Sequence, residues 1–186
     1  MILFFGRCLV FSLLFVAAAG ADGAPRLWFV DNSRPGGGDG SGLHPFDSLA
    51  AVQAASGIGD AIYLFRGARP YGAFALKEQQ LLIGEGILGT PMFAARGIAT
   101  PAPAATPGPP PRIEVESGDA LTLAGGTAVY GVAVTSTSGR AVVIPNATGT
   151  VTVERLPVTT ASGVGLAIEG GDATITLDAV PIRATS

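Results

Sequence analysis

The second half of the chain repeats itself with a fixed step of about 24 residues. A fixed period of this length is typical of solenoids, in which each turn buries its apolar face against neighbouring turns. A glycine follows the same spacing, since Gly139 recurs as Gly163. The apolar columns contain Thr127, Val151 and Ile175; Val129, Val153 and Leu177; Val132, Leu156 and Val180; Val134, Val158 and Ile182; Val142 and Leu166; and Ile144 and Ile168.

Within each period the apolar residues alternate over short β-rich runs, as in Val151-x-Val153 and Leu156-x-Val158. Alternation at a step of two indicates strands with one buried face. Three short strands and three turns in each period describe one turn of a parallel β-helix. A slip of one residue would turn the apolar columns to solvent, so the register is strict. The sequence therefore predicts an all-β solenoid.

Residues 1–21 have the pattern of a secretory signal peptide. Arg7 supplies the positive charge, an apolar run extends from Cys8 to Ala19, and Ala19-Gly20-Ala21 is the preferred cleavage site, ahead of Ala17-Ala18-Ala19. An uncleaved anchor is the alternative, although a spanning helix needs about 20 apolar residues. Cys8 is the only cysteine, so cleavage leaves no disulfide and no cysteine metal site. We expect a secreted or cell-surface protein.

Residues 22–96 are predicted to form an N-terminal cap and the first strands of the solenoid. Phe46, Leu49 and Val52 recur at helical spacing, which predicts a capping helix from Phe46 to Ser56 with Asp47 in its first turn. The glycine-rich stretch 36–42 fits either a phosphate cradle or a structural loop, and it lacks the P-loop ending. Strands are predicted at Leu27–Val30, Ala61–Phe65, Phe74–Leu76 and Leu81–Gly84.

The proline-rich stretch 97–112 interrupts the pattern, and we interpret it as a loop that leaves one corner of the solenoid. Regular turns are predicted over 113–186, where the first step, from Leu121 to Val142, is shorter than the steps that follow. No polar cap follows the last turn. Because an uncovered turn exposes strand edges, we expect either a fragment of a longer protein or an end covered by a partner or another copy.

Charge and residue types exclude several classes of function. The formal net charge of −3 and the lack of a basic cluster argue against nucleic-acid binding. His44 is the only histidine and is interpreted as a loop residue. Without a second histidine or a cysteine in the mature chain, zinc sites and Cys–His nucleophiles are excluded.

Two sets of acidic residues are candidate sites. Glu154 and Asp178 are one full period apart, so they are predicted to stack one turn apart, near the spacing of a retaining glycosidase pair. The alternative is a pair of acids on a solvated corner, which we favour. Asp31, Asp39 and Asp47 near the glycine-rich loop are candidate ligands for a structural Ca²⁺, with loop capping without metal as the preferred alternative. No catalytic residue, cofactor or metal is otherwise predicted.

The order of these motifs resembles the N-terminal part of bacterial secreted right-handed parallel β-helix proteins, the pectin-lyase-like superfamily. The resemblance rests on Trp28–Asn32, Pro45–Leu49, Gly59–Tyr63 and Leu81–Gly86 followed by regular turns. Within that group the chain is most similar to autotransporter- or adhesin-type surface proteins.

The resemblance implies a structural or adhesive, non-catalytic role, with surface polysaccharide or a host-cell ligand as partner. The alternative is the N-terminal part of a polysaccharide lyase or glycoside hydrolase whose catalytic turns lie beyond Ser186. A weaker alternative is a phage-like trimeric fibre. Columns of exposed Ser and Thr side chains favour the first interpretation; they are Thr135, Ser136, Thr137, Ser138, Thr159, Thr160 and Ser162.

Overall fold

The computed structural model of the protein describes residues 23–34, 36–87, 90–98 and 106–185. The predicted signal peptide and the centre of the proline-rich stretch lie outside these ranges. The helices are α1 (Leu49–Ala55) and α2 (Thr90–Ala95). The strands are β1 (Leu27–Val30), β2 (Ala61–Leu64), β3 (Phe74–Ala75), β4 (Leu81–Gly84), β5 (Arg112–Val115), β6 (Asp119–Thr122), β7 (Ala128–Tyr130), β8 (Ala133–Ser136), β9 (Arg140–Ala147), β10 (Thr150–Glu154), β11 (Val158–Thr160), β12 (Val164–Gly171), β13 (Thr174–Asp178) and β14 (Ile182–Ala184).

These strands form three parallel sheets that run along the solenoid. Sheet A has the order β1-β2-β4-β7-β10-β13, sheet B the order β5-β8-β11-β14, and sheet C the order β3-β6-β9-β12. The regular part of the chain visits A, B and C in turn, so each turn adds one strand to each sheet. The predicted parallel β-solenoid is confirmed.

The strand register reproduces the sequence period. Val153 lies between Val129 and Leu177 in sheet A, at the same sequence separation from each. The shorter first step is also confirmed, because Leu121 pairs with Val142 in sheet C. A common register in all three sheets places the apolar columns on the inside, where Val129 and Val153 are buried.

The capping helix begins later than predicted. Ser48 is its N-cap, with its Oγ accepting a hydrogen bond from the Ala51 N–H at 3.4 Å, so Asp47 lies outside the first turn. Phe46 instead extends sheet A: its N–H donates to the Phe29 carbonyl at 2.9 Å and its ring stacks on Trp28. Backbone pairing and ring stacking therefore outweigh the helical spacing of Phe46. The helix buries Leu49 against the first turns of the core, as a capping helix should.

The recurring glycine has a steric cause. A Cβ at Gly139 would lie 1.9 Å from the Gly118 carbonyl oxygen, and a Cβ at Gly163 would lie 1.8 Å from the Gly139 oxygen. Successive turns thus touch backbone to backbone at the corner between sheets B and C, and only glycine fits there.

We expect Gly163→Ala to destabilise the protein, because the added methyl cannot be accommodated without moving one turn away from the next. Forcing extra atoms into a packed site costs about 1–3 kcal/mol. The denaturant midpoint of unfolding measures the effect. Gly72→Ala is the matched control, since its Cβ would meet nothing within 4 Å. Equal midpoints for the two variants would contradict the close-packing explanation.

Candidate functional site

The outer face of sheet A changes character along the solenoid. The column that begins with Phe29, Tyr63, Ile83 and Tyr130 continues with Glu154 and Asp178 in direct register. The first part of this face is covered by α2 and the segment after it. Together with sheet A they form an apolar cluster outside the solenoid, separate from the core inside it. The buried members of that cluster are Phe29, Ala61, Tyr63, Leu81, Ile83, Phe93, Ile98 and Ala128. Beyond this cover, the outer face is polar.

Glu154 and Asp178 are the predicted carboxylate pair, and the structure places them on adjacent parallel strands. They are the last residues of β10 and β13 and are register partners, so the predicted stacking is confirmed. Neighbouring strands lie about 4.8 Å apart. Arg155 Nε is 3.3 Å from Glu154 Oε1, and Asp178 is exposed. A glycosidase acid needs an apolar enclosure to keep its proton, and the described residues provide none around Asp178.

Tyr130 precedes this pair in the same column and is partly buried. Its pKa is raised, first by burial and then by the negative charge of Glu154, while Arg96 acts in the opposite direction. Burial lowers the pKa of Arg96, whose Nη1 donates to the Gln79 carbonyl. Tyr130 therefore ends the covered part of the face, and Glu154 and Asp178 form a short acidic strip beyond it.

A groove runs along the turns that connect sheet A to sheet B, with a cavity of about 370 Å³. Its floor consists of stacked turns in which Gly131, Arg155 and Ala179 have left-handed φ values of 64°, 53° and 50°. This corner groove is lined by Glu85, Gly86, Ile87, Gly108, Pro110, Gly131, Arg155, Pro157, Ala179 and Pro181. Because most of these side chains are apolar, the corner groove suits weak contact with an apolar surface more than acid–base chemistry.

Arg66 fastens the proline-rich segment beside the corner groove. Its Nε donates to the Pro109 carbonyl at 2.6 Å, its Nη2 donates to the Thr106 carbonyl, and its Nη1 lies 3.2 Å from Glu85 Oε1. A Cβ on Gly108 would contact the guanidinium at 2.8 Å, so the segment lies directly on it. One half-buried cation thus connects sheet A with the wall of the corner groove.

Two of the three candidate calcium ligands near the N-terminus, Asp31 and Asp39, accept hydrogen bonds from local backbone and side-chain donors. Asp31 accepts from the Ser33 N–H and hydroxyl and from Arg34 Nε. Hydrogen bonds from Ser41 lower the pKa of the Asp39 carboxyl. Within the described residues, no three His, Cys, Asp or Glu side chains come together as they would around an ion.

The glycine-rich loop closes on itself. The N–H groups of Asp39 and Gly40 both donate to the His44 carbonyl, at 3.0 and 2.9 Å, so these two donors are used inside the loop. A Cβ at Gly38 would lie 2.0 Å from the Pro45 oxygen, which explains the small residue. The geometry favours the structural-loop interpretation over a phosphate cradle, with His44 as an exposed loop residue.

Two of the hydroxyl residues expected on the outer faces are inside. Ser136 and Thr160 are buried, and their side-chain oxygens accept from the N–H groups of Gly139 and Gly163 at 3.1 and 2.9 Å. They close the turn between sheets B and C, which is why small hydroxyl residues recur there. The neighbouring Thr135 and Thr159 lie on the opposite, outer side of their strands.

The comparisons with known proteins give no relative: no family model, no curated protein and no solved structure matches the chain. Among the described residues, neither helix has the length and apolar character required to cross a membrane. The site must therefore be interpreted from its own geometry.

Two parts of this region could not be predicted from the sequence period, namely the helix α2 and the role of Arg66. The helix and the segment that Arg66 holds lie in the long connection between β4 and β5, where the repeating pattern is absent. The Pro91-Met92-Phe93 run, with a proline in a first helical turn, was the available helix signal.

We expect Arg66→Met to loosen the segment over 106–110, because three carbonyl and carboxylate contacts are lost while the apolar stem remains. Limited proteolysis followed by mass spectrometry should show faster cleavage in this segment, with the solenoid core intact. Arg69→Met, at an exposed arginine nearby, is the control. In this variant the protease should cleave the segment at the wild-type rate. Unchanged cleavage in Arg66→Met would show that packing alone holds the segment.

Proposed function

We propose that this chain is a secreted or cell-surface solenoid with a structural or adhesive, non-catalytic role. We further propose that it is related to the adhesin-type members of the pectin-lyase-like superfamily. Its partner would be a surface polysaccharide or a ligand on a cell surface. The observation that carries it is the chemistry of the outer faces beyond α2, where short hydroxyl side chains alternate with charged ones, several of which are engaged in local ion pairs.

The clearest such ion pair spans neighbouring turns. Arg140 Nε and Nη2 donate to the two carboxylate oxygens of Asp119 at 2.7 and 2.6 Å, and Nη1 pairs with Glu169. These hydrogen bonds, Asp119 first, raise the pKa of Arg140. Side chains that hold one turn to the next are suited to a rigid stalk, since they are not free to act on a substrate.

Threonines form part of the outer surface of the regular turns. Thr135 and Thr159 are register partners in sheet B, and Thr152 and Thr176 are partners in sheet A. Side chains repeated at the strand spacing of about 4.8 Å form a flat, regular ladder. Such a surface supports weak contacts repeated along a polymer, so any adhesion would depend on many sites at once.

A carbohydrate-active enzyme is the second candidate, and the stacked Glu154 and Asp178 carboxylates favour it. A retaining pair has its carboxyl groups about 5–5.5 Å apart. Adjacent strands give a backbone separation close to that range. The exposed position of Asp178 weighs against this candidate.

The two candidates are separated by incubating the chain with a panel of acidic and neutral polysaccharides. We expect retention of the chain on one or more polymers without release of new reducing ends or of unsaturated products. The matched control is the Glu154→Gln, Asp178→Asn double variant, which keeps the shape of both side chains and should behave as wild type. Product formed by wild type and lost in the double variant would establish the enzyme instead.

A further inference from the structure

The corner groove runs along the side of the solenoid, so a turn stacked on β13 would lengthen it without covering it. Its volume of about 370 Å³ is within the range of small ligand sites. Apolar contacts lie at its two ends. Ile87 Cγ1 is 2.3 Å from the place that a Cβ on Gly131 would take, and Ala179 and Pro181 lie two turns further along. Arg155 lies between these ends, and 64% of its side chain is exposed.

The backbone that forms most of the corner groove is already hydrogen-bonded. The N–H groups of Gly131 and Arg155 donate to carbonyls one turn further along, at 3.0 and 2.9 Å. Pro157 and Pro181 have no N–H, and their carbonyls each accept from an N–H of the turn before, at 2.9 Å. An occupant must therefore be held by side-chain contacts, and any N–H that it turned towards these backbone groups would stay without a partner. An occupant poor in N–H groups fits best.

The chain itself shows how a proline-rich segment is held at this corner. Arg66 Nε donates to the Pro109 carbonyl at 2.6 Å and Nη2 donates to the Thr106 carbonyl, so one guanidinium binds two carbonyls three residues apart. Gly108 and Pro110 of the same segment line the corner groove. The corner groove is thus continuous with an existing contact between the solenoid corner and a proline-rich segment.

From this continuity and from the spacing of the turns, we propose that the corner groove binds a proline-rich segment of a partner protein in the polyproline II conformation. This helix has three residues per turn and a rise of about 3.1 Å per residue, so the same face recurs about every 9.3 Å. Gly131 and Ala179 are two turns of the solenoid apart, and two strand spacings are about 9.6 Å. Prolines at positions i and i+3 of the partner therefore meet both apolar ends of the groove at once.

Arg155 is the polar contact that this geometry requires. It lies midway between the two apolar ends, opposite the residues that separate the two prolines. Within the described residues, its ion pair is the 3.3 Å approach of Nε to Glu154 Oε1, and an arginine has five N–H donors. The remaining donors can bind carbonyls of the partner, as those of Arg66 bind Thr106 and Pro109.

The chain's own proline-rich segment supplies the probe. A fluorescein-labelled peptide with the sequence of residues 106–111 carries Pro107 and Pro110 at the required spacing. Fluorescence anisotropy measures its binding to the whole protein, and we expect saturable binding. The matched peptide has alanine in place of these two prolines. It should bind at least about tenfold more weakly, because apolar contacts at both ends of the groove are lost.

Arg155→Met tests the groove from the side of the protein. The variant keeps an apolar stem and loses the donors, so the affinity for the peptide should fall at least about tenfold. Far-UV circular dichroism and the midpoint of thermal unfolding should not change, because the side chain is exposed. Arg183→Met is the matched control, at an exposed arginine on the outer face of sheet B, and should bind the peptide as wild type does.

A lack of saturable binding at millimolar peptide would overturn the proposal. So would equal binding of the alanine peptide, or wild-type affinity in Arg155→Met. Displacement of the peptide by a soluble polysaccharide would overturn it too, since the groove would then be a glycan site. Retention on polysaccharides by the outer faces is measured separately, so the peptide site can fail while the proposed function stands.

Discussion

The structure depends on the parallel register that stacks each inward side chain on its counterpart one sequence period away. Val129, Val153 and Leu177 show what this requires: the same position of every turn must be apolar, and no turn may gain or lose a residue within a strand. The shorter step between Leu121 and Val142 is tolerated because the missing residues come from turns and leave the paired strands intact. Parallel strands with a common register also explain why charges such as Asp119 and Arg140 meet across turns.

The same register decides where chemistry is possible on the outside. A column on the outer face of sheet A begins with Phe29, Tyr63 and Ile83, which would be exposed if the solenoid had no cover there. The connection between β4 and β5 removes them from water by placing Phe93 of α2 against them. Polar residues can enter the column only beyond this cover, and there they are Glu154 and Asp178. The end of the apolar cover is therefore enough to explain why acidic residues occur at this position, and a catalytic use of the carboxylates is not needed to explain it.

The period predicted the sheets, the inward columns and the stacking of Glu154 on Asp178, because in a solenoid with a common register residues one period apart become neighbours on adjacent strands. The period could not predict features that depend on individual tertiary contacts or side-chain hydrogen bonds. Phe46 has helical spacing but pairs with β1, since its stacking on Trp28 and two backbone hydrogen bonds are tertiary interactions. Ser136 and Thr160 are residue types expected on a solvated face, yet they lie inside. There their side-chain oxygens accept hydrogen bonds from the N–H groups of Gly139 and Gly163. In both cases hydrogen bonding decided the outcome, and the hydrophobic pattern does not record it.

The shape of the corner groove follows from how sharply the chain turns between sheets A and B. Arg155 and Ala179 have left-handed φ values of 53° and 50°, a conformation that costs a residue with a side chain about 1–2 kcal/mol. The conformation persists because Val153 and Leu156 are both buried although only two residues separate them, and one left-handed residue bends the chain from sheet A into sheet B within that length. Stacked in register, these turns leave the concave strip that Pro157 and Pro181 line. The corner groove is therefore a product of the repeat, and each further turn with the same pattern would lengthen it by one strand spacing.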